Sequence, residues 1–400
     1  MKVLWVNSNF MHPTTKGGQI RTLEMLRYLH QWHEIHYVAL TSPGNSEGPA
    51  RAHEYSTKSY PFPHKATDKK SFAFYKQLAA GMFSSVPVSM SRHHPDGMKE
   101  FLAGLLRKER FDAVVADHLT PMGYMPDRST TVLFQHNIEF MIWRRLVQHS
   151  KNPVEKLYFQ IQAKRMFEFE RACCTEAAHV VACSEVDANL MRHNFHITNV
   201  SDVPTGVNLE YFAKPASSSV TTKPDFAFVG SMDWMPNEQG VLWFAQEILP
   251  LIRRKRPDAT LGVVGRTPPP SIMALAKDPG ITVTGTVPEV RPWFWESSVS
   301  IVPLLVGGGT RLKIYEAMAS SSPVVSTTIG AEGLTYTHPE NIRIADTPQD
   351  FADHCLDLVE NRQVHAKVAG TALELVTTHF SWEVASRRFD EVLRKAPRPR

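Results

Sequence analysis

Four hundred residues of 45.1 kDa, 42% hydrophobic and 21% charged, describe a globular chain of two or three domains at about 150 residues each. This composition excludes a disordered chain, and four cysteines without zinc-ribbon spacing (Cys173, Cys174, Cys183, Cys355) exclude a disulfide-stapled mini-protein. Lys plus Arg outnumber Asp plus Glu by only 44 to 40 and are scattered, which gives no support for a nucleic-acid partner.

In chain order, short β-branched runs alternate with helical stretches. Lys2–Val6 reads as a strand and turns polar at Asn7, too soon for a signal peptide. Gly17-Gly18 then opens a segment with Ile20, Leu23, Leu26 and Leu29 at helical spacing. Further strands are expected at 36–40, 113–116, 131–135, 180–183 and 200–203, with a long helix over 154–178. A second series places strands at 226–229, 261–264, 281–284, 300–303, 323–327 and 342–344. Helices at 239–253, 312–319 and 349–360 separate them. Strands alternating with helices imply right-handed crossovers and parallel sheets covered on both faces. Two such series imply two doubly wound α/β domains in tandem, hinged in the proline- and glycine-punctuated stretch Val203–Phe212. No run approaches the ~20 apolar residues of a membrane span. The expectation is therefore a cytoplasmic protein, at most peripheral at the inner face of a membrane.

The loops after the strands are where ligands of such sheets bind. The most informative is Pro303-Leu-Leu-Val-Gly-Gly-Gly-Thr-Arg-Leu-Lys-Ile-Tyr-Glu316. Its glycines let the backbone approach a ligand, and a helix starting near Thr310 or Arg311 aims N–H groups at an anion. Arg311 and Lys313 stand against the helix dipole, which suggests a bound diphosphate; solvated basic residues are the plainer reading. Glu316, three residues after Lys313, reads alone as an ion-pair partner.

Gly307–Val325, followed by Gly330-Ala-Glu-Gly-Leu334, resembles the donor-site signature of family 4 glycosyltransferases. Phe228-Val-Gly230, Pro204-Thr-Gly-Val-Asn208, Lys16-Gly17-Gly18, Val263-Val-Gly265 and Gly285 resemble other motifs of that family, in the same order along nearly the whole chain. The resemblance implies the GT-B architecture, two Rossmann-like domains facing a central cleft. It divides the chain into an acceptor domain at 1–205, a donor domain at 206–380 and a C-terminal helix and basic tail at 381–400 packing back toward the first domain. It implies a retaining, metal-independent hexosyl transfer from a UDP- or GDP-sugar to a saccharide, lipid-linked or small-molecule acceptor, as in bacterial polysaccharide or glycoconjugate synthesis. Beyond that nucleotide-sugar substrate, no cofactor is implied.

Carried over residue by residue, Arg311 and Lys313 hold the donor diphosphate and neutralise the departing charge. Glu316 bonds the ribose, and Gly308, Gly309 and Thr310 form the donor loop. Gly17 and Gly18 put backbone N–H groups near the phosphates, and Gly230 keeps the nucleotide's loop free of a side chain. The position eight before Glu316, a glutamate in the family, is Gly308 here, and this departs from the usual donor-sugar contact. A histidine near the reacting sugar falls on Asp117 or His118, with His136 a second candidate. Glu139 reads as a helix cap, with acceptor binding the alternative.

The aromatic and basic stretch around Phe72–Tyr75, Met82–Phe83 and Arg92 reads as core, or else as an acceptor groove or a contact with an anionic bilayer. Trp293-Phe-Trp295 reads as packing. Two rivals remain: a catalytically silent GT-B nucleotide-sugar-binding protein, and an NAD-dependent oxidoreductase. The second lacks a G-x-G-x-x-G fingerprint after the first strand.

Overall fold

The computed structural model describes residues 1–14, 17–42, 44, 46–64, 86–91, 95–150, 152–215, 224–306 and 312–399. The chain divides into two compact units, Met1–Pro204 with Ala385–Arg400, and Thr205–Val384.

The first unit is built on seven parallel strands in the order β3-β2-β1-β4-β5-β6-β7. In chain order they are β1 (Lys2–Asn7), β2 (Glu34–Thr41), β3 (Lys58–Pro63), β4 (Ala113–Asp117), β5 (Thr131–Phe134), β6 (His179–Ala182) and β7 (Val200–Asp202). β1 and β4–β6 are buried on both faces, as parallel strands under crossover helices must be. β3 is not legible in the pattern because Pro61 and Pro63 interrupt it; both prolines are tolerated on an edge strand, paired only with β2. The longer helices of this unit are α1 (Gly17–Trp32), α2 (Met98–Lys108), α3 (Glu139–His149), α4 (Pro153–Glu176) and α5 (Glu185–Phe195).

The second unit repeats the winding with six parallel strands in the order β10-β9-β8-β11-β12-β13. These are β8 (Phe226–Val229), β9 (Leu261–Val264), β10 (Ile281–Val283), β11 (Val299–Val302), β12 (Val324–Ser326) and β13 (Arg343–Ile344). Its longer helices are α6 (Met235–Trp243), α7 (Leu312–Ala319), α8 (Pro348–Glu360) and α9 (Arg362–His379). The helix expected over 239–253 is instead three pieces. α6 starts four residues earlier, a π-helical turn covers Phe244–Ile248, and a separate helix runs Leu249–Lys255. Pro250 explains the break, since its ring removes an N–H and crowds the carbonyl four residues back.

The last helix, α10 (Trp382–Lys395), starts in the second unit. Its later part belongs to the first, where Phe389 packs on Trp5 and Phe134 at 5.3 and 5.0 Å between centroids, and Asp390 pairs with the buried His33 at 2.7 Å.

In both sheets the strand order reverses at one point, between β1 and β4 and between β8 and β11. Crevices for ligands form beyond the carboxyl ends of the strands at such reversals. In the second unit α6 lies close against the end of β11. A Cβ at Gly240 would stand 2.7 Å from the Pro303 carbonyl oxygen. Gly240→Ala therefore sets a helix-propensity gain of roughly 0.5–1 kcal/mol against overpacking of roughly 1–3 kcal/mol. Net destabilisation of the second unit is expected, read as a lowered thermal midpoint; an unchanged or raised midpoint contradicts this packing.

Candidate active site

At the reversal in the first unit, β4 ends on Asp117, which is fully buried. Its Oδ2 accepts hydrogen bonds from Trp5 Nε1 (3.0 Å) and Asn7 Nδ2 (2.6 Å) on β1, and from Thr22 Oγ1 (2.8 Å) on α1. Its Oδ1 faces His136 Nε2 at 2.8 Å. Burial by itself favours the neutral acid. The His136 and His118 imidazoles beside it and the hydrogen bonds from His136 and Trp5 outweigh burial, so the carboxyl lies below its usual range.

His136 follows β5, and burial lowers its pKa well below the usual 6.5, with His118 alongside opposing a second charge. The ring is thus neutral, and because ionised Asp117 only accepts, its proton is assigned to Nε2. Nδ1 keeps a lone pair, 3.5 Å from where a Cβ on Gly18 would stand. Gly18 lies in the first turn of α1, whose positive dipole end further disfavours an imidazolium. The buried Arg21 guanidinium, 4.7 Å from the Phe134 ring centroid and held by Cys183 and the Val203 carbonyl, acts in the same sense.

His118 stacks on His136, with ring centroids 3.8 Å apart and planes 25° off parallel. Burial lowers its pKa as well, although the side chain keeps 36% of its surface open. Its backbone has φ 75° and ψ 169°, a region essentially reserved for glycine, and its N–H is fixed to the Phe134 carbonyl at 2.8 Å. The ring borders a cavity of about 210 Å³ lined by Ser8, Asn9, Met90, His118, Leu119, Thr120 and Glu139.

Asp117 is sealed inside, whereas His118 faces the cavity. Asp117, His118 and His136 also have the composition of a metal site, with ligating atoms within 4.8 Å of one another. Four donors already engage the carboxylate. As arranged, Asp117 and His136 are hydrogen-bonded, and His118 stacks on His136 with its Nε2 4.0 Å from Asp117 Oδ1.

Glu139 does not cap α3. That task falls to Glu170 on α4, which accepts from the Glu139 and Phe140 backbone N–H groups at 2.9 and 2.8 Å and from Gln135 Nε2 at 2.9 Å. Burial pushes the Glu170 carboxyl up to about 8, against those backbone bonds. Glu170 thereby clamps the loop that carries His136 and leaves Glu139 turned into the cavity, where burial pushes its carboxyl up to about 7. A buried carboxyl in a long amphipathic helix was the only sequence signal for Glu170.

At the reversal in the second unit, Lys313 stands in the first turn of α7. Its Nζ donates to Asn237 Oδ1 at 3.1 Å and lies 4.2 Å from the Phe228 ring centroid. Buried Asn237, which sequence reasoning missed, donates in turn to the Ser231 carbonyl at 2.7 Å. A Cβ on Gly230 would sit 2.5 Å from Lys313 Nζ, and one on Gly265 would collide with the Gly230 carbonyl. The two glycines thus let the ends of β8 and β9 close up and leave room for the ammonium. Glu316, one turn beyond Lys313, is half-buried; burial pushes its carboxyl up to about 7, with Lys313 opposing. Phe294 is buried and Trp293 lies over Gly262, so the aromatic run 293–295 is packing. Gly308, Gly309, Thr310, Arg311 and Lys16 lie outside the described residues, as do 65–85 and 92–94.

A family profile described as Glycosyltransferase Family 4 matches residues 15–211, and one described as Glycosyl transferases group 1 matches residues 223–361. The chain belongs to the family 4 glycosyltransferases. Among solved structures, a sucrose-phosphate synthase from Thermosynechococcus elongatus is similar with a TM-score of 0.70 at 12% identity, over 99% of this chain and 98% of that one. A glycosyltransferase from Rickettsia africae gives 0.67 at 14%, over 99% and 98%. HepE of Anabaena, solved in complex with UDP, gives 0.66 at 11%, over 99% and 100%. At these identities the likeness is one of fold, and that fold is GT-B. A Klebsiella pneumoniae protein described as an uncharacterised 44.6 kDa protein in the cps region is 29% identical over 174 residues. That match covers 41% of this chain and only 45% of the relative.

The glycine-like backbone at His118 should hold roughly 1–3 kcal/mol of strain. His118→Gly is therefore expected to unfold at higher denaturant than His118→Ala, despite glycine's entropic disadvantage of roughly 0.5–1 kcal/mol. An alanine variant at least as stable as the glycine variant contradicts the strained geometry.

Proposed function

We propose that this member of the family transfers a hexose from a UDP- or GDP-linked sugar to a saccharide, lipid-linked or small-molecule acceptor, with retention of anomeric configuration and without a divalent metal. The observation that carries the reading is the Lys313 ammonium, held by Asn237 over Phe228 at the β8–β11 reversal, in a space that Gly230 keeps clear. Breaking a sugar–phosphate bond builds negative charge on the diphosphate. A preorganised cation stabilises that charge without reorganising, the part a bound divalent ion plays elsewhere. Arg311, two residues before it in the sequence, supplies the second cation, and Glu316 meets the ribose hydroxyls.

In the first unit, the cavity beside His118 takes the acceptor hydroxyl, with Glu139 and the His118 imidazole as hydrogen-bonding partners. Asp117 and His136 fix the ring beneath. Asp117 is sealed and engaged, and burial holds the Glu139 carboxyl toward its neutral acid, so same-face attack is favoured over a covalent glycosyl-enzyme. The acceptor proton then passes to the leaving phosphate. UDP and UDP-glucose in structures of the Anabaena protein support a uridine donor, and the cps-region relative supports a role in polysaccharide synthesis.

A screen of UDP-, GDP- and ADP-sugars for hydrolysis or transfer tests the reading. Lys313→Ala is expected to slow turnover of the active donor about 10²–10³-fold, or about 2.7–4 kcal/mol, with the fold intact. Unchanged kinetics would remove Lys313 from the donor site. Nucleoside diphosphate binding without turnover of any sugar would favour a silent nucleotide-sugar-binding protein, which Gly308 in place of a glutamate also suggests.

A further inference from the structure

Helices α3 and α4 form a hairpin packed through Trp143 and Phe159, 6.2 Å between ring centroids. Its outer face is apolar where a soluble surface is normally polar. Ile142 (42% exposed) and Leu146 (41%) lie one turn apart on α3. Val154 (75%), Leu157 (59%) and Ile161 (44%) line one stripe of α4. Together they are five of the twelve large exposed apolar side chains among the described residues, so the exposure is concentrated rather than scattered.

The charge on the same face is mostly positive, with Glu168 one turn beyond Lys164 an acid among it. Arg145 follows Ile142 by three positions, and Lys164 and Arg165 follow Ile161 by three and four, which places them on the apolar stripes. Between residues 142 and 165 the sequence has six Lys or Arg and a single acid, Glu155.

We infer that the outer face of the α3–α4 hairpin is a docking surface for an anionic lipid bilayer. Aliphatic side chains ringed by long cationic ones match the acyl boundary and the phosphate headgroups of such a surface. A second copy of this chain matches poorly, because it would bring the same excess of cations face to face. Nucleic acid would pair with the cations and leave the aliphatic row unused. The face adjoins the first unit's cavity, since α3 starts at Glu139, which lines it. The inference does not rest on the transferase reading.

Co-sedimentation of the full chain with vesicles tests it, using phosphatidylglycerol mixed equally with phosphatidylcholine, and phosphatidylcholine alone. The chain is expected to sediment with the anionic vesicles, little with the neutral ones, and less as salt is raised. Leu146→Ser with Leu157→Ser is expected to lower partitioning about tenfold or more, as is Lys156→Gln with Lys164→Gln, with circular dichroism unchanged in both. No sedimentation with anionic vesicles, or sedimentation of both double variants equal to that of the wild type, would overturn the proposal. So would light scattering that finds a wild-type dimer abolished by the leucine substitutions, since the face would then be a self-interface.

Discussion

The first unit depends on one buried charge. Asp117 sits where β1, β4 and α1 meet, and each contributes to its solvation: Trp5 and Asn7 from β1, Thr22 from α1, and His136 from the loop after β5. An ionised carboxylate so deep is tolerated only because four donors replace its water. The same bonds knit the strand order together at the reversal and set the tautomer of His136. With α1's positive end and Arg21 nearby, the imidazoles stay neutral around a fixed anion. Structure and chemistry are thus one arrangement: the network that stabilises the sheet end also presents a neutral histidine to the cavity.

The second unit solves a related problem with opposite sign. A lysine in the first turn of a helix opposes the dipole, and here a neutral amide and an aromatic face help to hold it. Glu316, the carboxyl within a turn of it, is pushed toward the neutral form by burial.

Much of this was legible before any coordinates. Short apolar runs, such as Phe226–Val229 and Leu261–Val264, are what buried parallel strands require, and their alternation with helices led directly to two doubly wound units. The glycines and cations stood out because their local sequence runs against ordinary helix chemistry. What escaped depends on distance along the chain. Glu170 caps a helix that begins thirty-one residues earlier, and Asn237 restrains a lysine seventy-six residues later. Neither role has a local spacing. β3 was hidden by prolines acceptable only at an edge, and Glu139 took a cap's position without a cap's task. The exposed face of the α3–α4 hairpin was likewise invisible, because helical periodicity reports an apolar stripe but not which stripe is left uncovered.

We propose a division of labour in which the second unit's lysine holds the nucleotide, while the first unit's histidine pair serves the chemical step. Titrating UDP and GDP into the wild-type chain, Lys313→Met and His136→Gln, alongside consumption of the corresponding sugar nucleotide, tests it most directly. His136→Gln, which still donates to Asp117, is expected to bind the nucleoside diphosphate as the wild type does yet to turn over about 10²-fold more slowly or worse. Lys313→Met is predicted to lose nucleotide affinity. A His136→Gln variant that loses nucleotide affinity in step with its rate, or a Lys313→Met variant that binds UDP and GDP unchanged, would contradict it.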